Sequence, residues 1–520
     1  MDTKALRQKI LDLAICGKLV PQDPNDEPAS VLLERIREQK MQMVKEGKLK
    51  AKDIKNDTII FVGEDNLHYE KFQDGTVKCI EDEIPFEVPE GWEWTRLVSI
   101  CLKVTDGTHH SPDNFPTGEY KYITAKNIKS NGIVLDDITY VTAEVHKEIF
   151  ARCNPEFGDI LYIKDGATSG IATVNTLHEE FSMLSSVALL KPSIGIDNWY
   201  MCYAMQSPYF YNTTRGDMKG VGITRITLNM LTSRLIPIPP QNEQRQISAN
   251  TSKLIELIVS IEKSKDDVLE LIATTKSKIL DLAIRGKLVP QDPNDEPASI
   301  LLERIRAEKE ELIKQGKIKR DKKKSVIFKG DDNSYYEKIG NTIENLDSII
   351  PFEIPDNWEF IRFKEIWNLI SGRDLLPSEY NNQKVGIPYI TGASNFNDGT
   401  IELIRWTPNP QVITHYGDLL ITCKGTIGEM GFNNFGDAHI ARQIMAIRNT
   451  FNLNSEFLSY CICFYINSIK ASAKGIIPGI SREDILNLIL PIPPSEYQEQ
   501  VVAYIRKVNV LFDSLEKSLN

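Results

Sequence analysis

The chain has 520 residues, with 61 Lys and Arg against 72 Asp and Glu, for a formal net charge of −11. That length exceeds what one compact core serves and points to two to four domains. Apolar residues at 41% and charged residues at 26% exclude global disorder, and no apolar run approaches the roughly 18–20 residues of a membrane helix.

In chain order, the first predicted element is an amphipathic helix over Lys4–Ile15, with no secretory apolar region before it. Gly17 closes it, and the PQDPNDEP loop then leads through Pro28 into a charged helix near Ala29–Glu46. The segment Ile84–Pro240 reads as an α+β domain. Its predicted strands are Tyr120–Thr124, Ile160–Ile163 and Val187–Leu190, and its predicted helix is Trp199–Gln206. A long helix follows over about Asn242–Ile284, with Ile247, Leu254 and Ile261 seven apart. The loop and charged helix then recur at 286–315, and a second α+β domain covers Ile350–Pro494. Its predicted strands are Pro388–Thr391, Leu419–Thr422 and Met445–Ile447, with a helix at Glu456–Ile466. The predicted C-terminal helix, Ser495–Leu519, carries Val501, Val508 and Leu515 at the same sevenfold spacing.

The recurrence is an internal repeat. Lys9–Arg37 and Lys278–Arg306 agree at 27 of 29 positions. Weaker matches continue in order. Ile84-Pro-Phe-Glu-Val-Pro-Glu-Gly-Trp92 answers Ile350-Pro-Phe-Glu-Ile-Pro-Asp-Asn-Trp358, Gly158-Asp-Ile-Leu answers Gly417-Asp-Leu-Leu, and Pro237-Ile-Pro-Pro240 answers Pro491-Ile-Pro-Pro494. The repeat is circularly permuted, because the second copy stops inside the helix where the first begins. The expected fold is therefore α+β and pseudo-two-fold, with two domains separated by an antiparallel pair of long helices. The boundaries are 1–16 for the N-terminal helix, 17–83 for a loop, charged helix and connector, and 84–240 for the first domain. The central helix follows at 241–285, the repeated connector at 286–349, the second domain at 350–494 and the last helix at 495–520.

These words resemble the specificity subunits of type I restriction–modification enzymes. The GKLVPQDPNDEPAS–LLERIR segments, the IPFE(V/I)P-x2-W-E openings, the GD(I/L)L strands and the P-I-P-P-x3-Q exits carry the resemblance, with Asp106-Gly-Thr-His109 as a candidate recognition loop. The resemblance implies a non-catalytic subunit whose two target-recognition domains each read half of a split double-stranded DNA site. It implies helices that dock two methyltransferase subunits, with motor–nuclease subunits joining the full complex. The assembly would be an adenine-N6 DNA methyltransferase and ATP-dependent endonuclease. S-adenosylmethionine, ATP and Mg2+ would sit on the partners, in a prokaryotic cytoplasm. The rival readings are a stand-alone DNA-modifying enzyme and a protein-binding scaffold.

Short motifs do not favour the rivals. Asn154-Pro-Glu-Phe157 departs from the Asn-Pro-Pro-Phe/Tyr of adenine methyltransferases, and Pro112-Asp113 with Glu119-Tyr-Lys121 imitates a nuclease motif at loop spacing. Lys424-Gly-Thr-Ile-Gly lacks the residue order of a phosphate loop. The DNA-contact candidates are polar and basic loop residues. In the first domain they are Lys103, Thr105, Asp106, Thr108, His109, Lys126, Asn127, Lys164, Ser169, Lys219 and Arg225. In the second they are Ser371, Arg373, Ser394, Asn395, Lys424, Thr426, Arg442, Gln443, Lys474 and Arg482. Arginine reads guanine, and Asn or Gln reads adenine, through paired hydrogen bonds. Ile247, Leu254, Ile261, Val501, Val508 and Leu515 are expected to form the helix seam, leaving Ile258, Ile272, Ile505 and Phe512 for partner helices. The acid lies mainly outside the two domains. Residues 17–90 carry −6, whereas 91–240 and 357–494 together carry −3, so the net charge does not exclude a DNA partner.

Overall fold

The computed structural model describes residues 2–216, 225–320, 324–350, 352–397, 399–472 and 479–519, with the backbone alone at 468–472. Helices and strands mix throughout. The chain divides into two compact units, Met1–Lys265 and Asp266–Asn520. Among the described residues no helix is long and apolar enough to cross a membrane.

In the first unit the helix Thr3–Ile15 is capped by Asp2, whose Oδ1 accepts from Ala5 N at 2.9 Å. It ends at Gly17 (φ +62°), where a Cβ would come within 2.3 Å of Pro89 Cγ. The positive φ and the contact both require glycine. The second unit repeats this at Gly286 (φ +69°), 2.6 Å from Pro355 Cγ by the same construction. The Pro and Trp of the repeated openings thus close over the glycine. Trp92 Nε1 donates to Glu243 Oε2 at 2.9 Å, and Trp358 Nε1 donates to Gln291 Oε1 at 3.1 Å.

The connectors hold more than was expected. Each contains a three-stranded antiparallel sheet, Ile59–Val62, His68–Lys71 and Val77–Cys79 in one unit, and Ser325–Lys329, Tyr335–Ile339 and Thr342–Asn345 in the other. A buried glutamate locks each sheet to its domain. Glu70 receives Arg96 at 2.6 and 3.0 Å, and Glu337 receives Arg362 at 2.6 and 3.0 Å. The buried charges are thereby paired and hydrogen-bonded in the forked geometry that offsets desolvation.

Each domain core is a four-stranded antiparallel sheet beside a second sheet. The first runs Ala172–Val174, Ile160–Ile163, Val187–Pro192, Cys101–Asp106. The second runs Asn368–Ser371, Ile444–Arg448, Leu419–Thr422, Met430–Phe432. The Gly-Asp words open a central strand in each. Asp159 is buried against Lys191 at 2.7 Å, and Asp418 against Arg448 at 2.8 Å. Burial raises the Asp159 carboxyl above its usual range, opposed by Lys191. The P-I-P-P-x3-Q exits are also explained. Gln244 Nε2 donates to Pro239 O at 3.0 Å and Gln498 Nε2 to Pro493 O at 3.0 Å, fixing the start of each long helix.

The helix Gln241–Ile284 is continuous over 44 residues, and the last is Ser495–Leu519. The heptad assignment needs correction. Ile247 belongs to the first unit's core, and Val501 and Ile505 to the second's. Leu254 and Val508 are half-buried, while Ile261 and Leu515, expected in the seam, are exposed. Ile258 and Ile272, expected to be open, are buried. Phe512 is half-buried, with Lys276 Nζ over its ring at 5.8 Å. A straight helix turns about 100° per residue. Seven residues therefore fall about 20° short of two turns, and eleven land about 20° past three, so the buried stripe passes from Ile247 to Ile258.

Candidate nucleic-acid interface

Four loops meet at one end of the four-stranded sheet, and they meet through the same backbone bonds in both units. Thr108 N donates to Met183 O and Arg373 N to Ile440 O, each at 2.9 Å. Lys164 N reaches Ser186 O at 2.9 Å, and Cys423 N reaches Gln443 O at 2.7 Å. Ile226 N reaches Lys164 O at 3.0 Å, and Ile480 N reaches Cys423 O at 2.9 Å. The first loop can pass this closely only because it carries Gly107 or Gly372. A Cβ there would lie 1.9 Å from Met183 O or 2.1 Å from Ala441 O.

On this shared frame the side chains are exchanged. By the matched bonds, Asp106 stands where the second unit has Ser371, Thr108 where it has Arg373, His109 where it has Asp374, Lys164 where it has Cys423 and Ser185 where it has Arg442. Burial of Cys423 raises its thiol above the usual value.

The first rim is organised by Asp106, which is 3% exposed at the end of its strand. Its carboxylate receives Arg152 Nη2 and lies 3.4 Å from Lys164 Nζ. Arg152 Nη2 also lies 3.0 Å from His109 Nε2, and His109 is exposed. Thr108 is half-buried, and its Oγ1 accepts from His110 N at 3.3 Å. Arg225 is exposed beside Asp165, at 4.0 Å. Arg152 was not a candidate from sequence. It ends the helix Ala143–Arg152, 46 residues from its carboxylate, and no local spacing signals the pair.

In the second rim Arg442 Nε lies 2.7 Å from Asp374 Oδ2, and Arg482 Nη1 donates to Ser371 Oγ at 3.1 Å. Arg373, Lys424, Thr426 and Ser394 are exposed, and Gln443 is half-buried with its carbonyl occupied by Cys423. His439 supports this rim from beneath. Its Nε2 donates to Arg373 O at 2.8 Å, and its Nδ1 lies between Val412 O at 2.9 Å and Val412 N at 3.1 Å. Burial holds the imidazole below its usual value, and the carbonyl contacts work against that. Among the described residues, Arg442 pairs with Asp374, and no ion pair is seen for Arg373, Lys424 or Arg482, so this rim is cationic on a domain of nearly neutral charge.

Several candidates need correction. Asn127 and Asn395 are buried, at 2% and 1% exposure. Asn127 Oδ1 accepts from Thr124 N at 3.0 Å, and its Nδ2 donates to Val134 O at 3.2 Å. Asn395 Oδ1 accepts from Thr391 N at 2.9 Å, and its Nδ2 donates to Glu402 O at 2.8 Å. Both are turn locks with no edge left for a base. Ser169 is buried because its loop folds back, with Gly170 N on Ile163 O at 2.9 Å. Asp106 and Lys164 are buried supports of the rim. Lys103 is tied to Asn154 Oδ1 at 2.7 Å. Thr105 is half-buried within its strand, and Lys126 is exposed beside Asn127. Lys219 and Lys474 lie outside the described residues.

A family model described as the type I restriction modification DNA specificity domain matches residues 89–271 and 355–520. This chain belongs to that family. Among its relatives is the type I restriction enzyme EcoEI specificity subunit of Escherichia coli, 27% identical over 99% of this chain and 90% of that protein. The EcoAI specificity subunit of Escherichia coli is 27% identical over 96% of this chain and 88% of its own length. A solved chain, described under complex assembly and conformational transition of the type I R-M system, aligns over 84% of this chain and 94% of itself. Its TM-score is 0.57 at 20% identity, which speaks for the fold. The framework words of this specificity-family chain are the glycine locks, buried Arg–Glu forks and glutamine exits described above.

Proposed function

We propose that this chain is the non-catalytic DNA-specificity subunit of a type I restriction–modification complex, reading a bipartite, asymmetric site with one half-site per domain. The observation that carries this reading is the pair of loop rims, with matching backbone bonds and exchanged side chains. A fold that keeps a frame and varies its charged edge suits two related readers of different sequences. The domains 84–240 and 350–494 are the readers. The long helices act as an antiparallel spacer with pseudo-two-fold, permuted symmetry. Two methyltransferase subunits dock on helix faces that include the exposed Ile261 and Leu515. Motor–nuclease subunits complete the assembly in the cytoplasm, and the methyl donor, ATP and Mg2+ belong to those partners.

Rims that are cationic on nearly neutral domains bind phosphate weakly alone, so much of the backbone attraction comes from the partners. The test is binding of the purified complex of this chain with methyltransferase to a randomised duplex pool. Enrichment of a split sequence is expected, and the absence of any enriched sequence would refute the proposal.

A further inference from the structure

Arg152 and Arg442 have a common arrangement reached by different routes. Each is well exposed, 51% and 66% at the side chain, yet each is gripped by a carboxylate from the first loop of its rim. Arg152 Nη2 donates to Asp106 and lies beside His109. Arg442 Nε meets Asp374 Oδ2 at 2.7 Å, while its own backbone N donates to Asp374 Oδ1 at 3.1 Å. The parts do not correspond in the repeat. Asp106 matches Ser371, and Asp374 matches His109. Arg152 ends a helix, whereas Arg442 sits in the turn before a strand. Among the described residues, Nε and Nη1 of Arg152 and both Nη atoms of Arg442 hold no hydrogen bond, and Arg442 Nε is held by its ion pair with Asp374.

The grip selects the ligand chemistry. A free surface arginine samples many rotamers, and a carboxylate holding one nitrogen fixes the plane of the others before any ligand arrives. Phosphate gains little from such an arginine, because the carboxylate offsets the cation and would itself stand close to the phosphate anion. A neutral pair of acceptors meets no such repulsion. In the DNA major groove, guanine O6 and N7 form that pair and take two N–H bonds from one guanidinium. The exposed Arg373 and Lys424 have no carboxylate grip among the described residues and suit phosphate instead.

We infer that Arg152 and Arg442 each read a guanine, one in each half of the split site, with Asp106 and Asp374 as positioning residues. The inference rests on the DNA-reading role proposed above. The test uses the purified complex with its methyltransferase subunits and a duplex panel with each base pair of both half-sites replaced in turn, measured over a range of salt. Arg442→Ala should weaken the cognate duplex roughly 5- to 150-fold and erase the preference at one G·C pair. The other half-site should read as before, which also shows that the variant is folded. Arg152→Ala should do the same in the opposite half. Asp374→Asn and Asp106→Asn should relax the same positions while leaving the salt dependence unchanged.

Equal weakening on every duplex, with the salt slope lowered by about one, would identify a phosphate contact and overturn the inference. An unchanged preference, or a half-site with no G·C pair, would also overturn it. If an alanine variant loses both halves, the Arg→Lys variant decides. It keeps the charge and loses the planar fork, so a loss confined to one G·C pair would support guanine reading, and weakening spread equally over every duplex would refute it. A wild-type complex with no preferred split sequence would refute the proposed function itself, and this inference with it.

Discussion

Replacing Asn395 by alanine separates a turn lock from a base reader. The side chain is 1% exposed, and its oxygen accepts from Thr391 N, Thr391 Oγ1 and Gly392 N at 2.9, 3.0 and 3.3 Å. Its amide donates to Glu402 O at 2.8 Å. Alanine leaves two backbone donors and one carbonyl without that partner. At about 1 kcal/mol each, the cost is about 3 kcal/mol, and more if water cannot enter. For a unit the size of Asp266–Asn520, about 2–4 °C of melting temperature accompanies each kcal/mol, so the second unit should melt about 6–12 °C lower. Differential scanning calorimetry reads this, with the first unit's transition as the internal reference. The surviving folded protein should keep its base preference. A wild-type melting profile together with relaxed preference at one base pair would refute the lock and restore Asn395 as a reader.

Lys40, 1% exposed, lies 2.5 Å from Asp57 Oδ2, and burial pushes the Asp57 carboxyl up to about 6 even with Lys40 beside it. Lys40→Met should cost about 3–5 kcal/mol at pH 8 by leaving that carboxylate alone. Without Lys40 the carboxyl rises further, so the penalty should shrink as pH falls toward 6 and level off below it, where the wild-type carboxyl also protonates. Denaturant titrations at pH 8 and pH 5 should show this, and the added change Asp57→Asn should recover most of the loss. His439 has the opposite sign. Its folded pKa is depressed, so its contribution is present above the unfolded value near 6.5 and lost as pH falls through the folded one. Melting of the second unit from pH 7.5 to 5 should drop in the wild type and flatten in His439→Gln. Gly286→Ala combines left-handed strain with the Pro355 contact and should cost about 2–4 kcal/mol in thermal unfolding.

The framework was legible because the chain states it twice. Ile160–Ile163, Leu419–Thr422 and Ser495–Leu519 have the bounds expected from pattern and turn residues. The repeated Gly, Pro, Trp and Gln words mark contacts that only those residues satisfy. The small sheets in the connectors were missed because their strands are short and largely exposed, so alternation is weak. Asn127 and Asn395 read as base contacts in the sequence because sequence does not tell which way an amide points. Their occurrence at the same place in both copies was the available signal, since readers of different half-sites should differ there. Arg152 left no trace of that kind, because its partner is reached only through the fold.

The twin segments Lys9–Arg37 and Lys278–Arg306 begin 269 residues apart on one chain and carry the same glycine lock. Either would therefore fit the other's Pro–Trp seat during folding, a route to swapped, trapped chains. Order of synthesis sorts them. At roughly 5–20 residues per second, the first segment leaves the ribosome roughly 13–54 s before the second and can take its own seat while no competitor exists. Refolding the full-length chain from denaturant removes that head start. The yield from refolding should therefore fall below that from translation, and the shortfall should disappear once the two segments are made dissimilar.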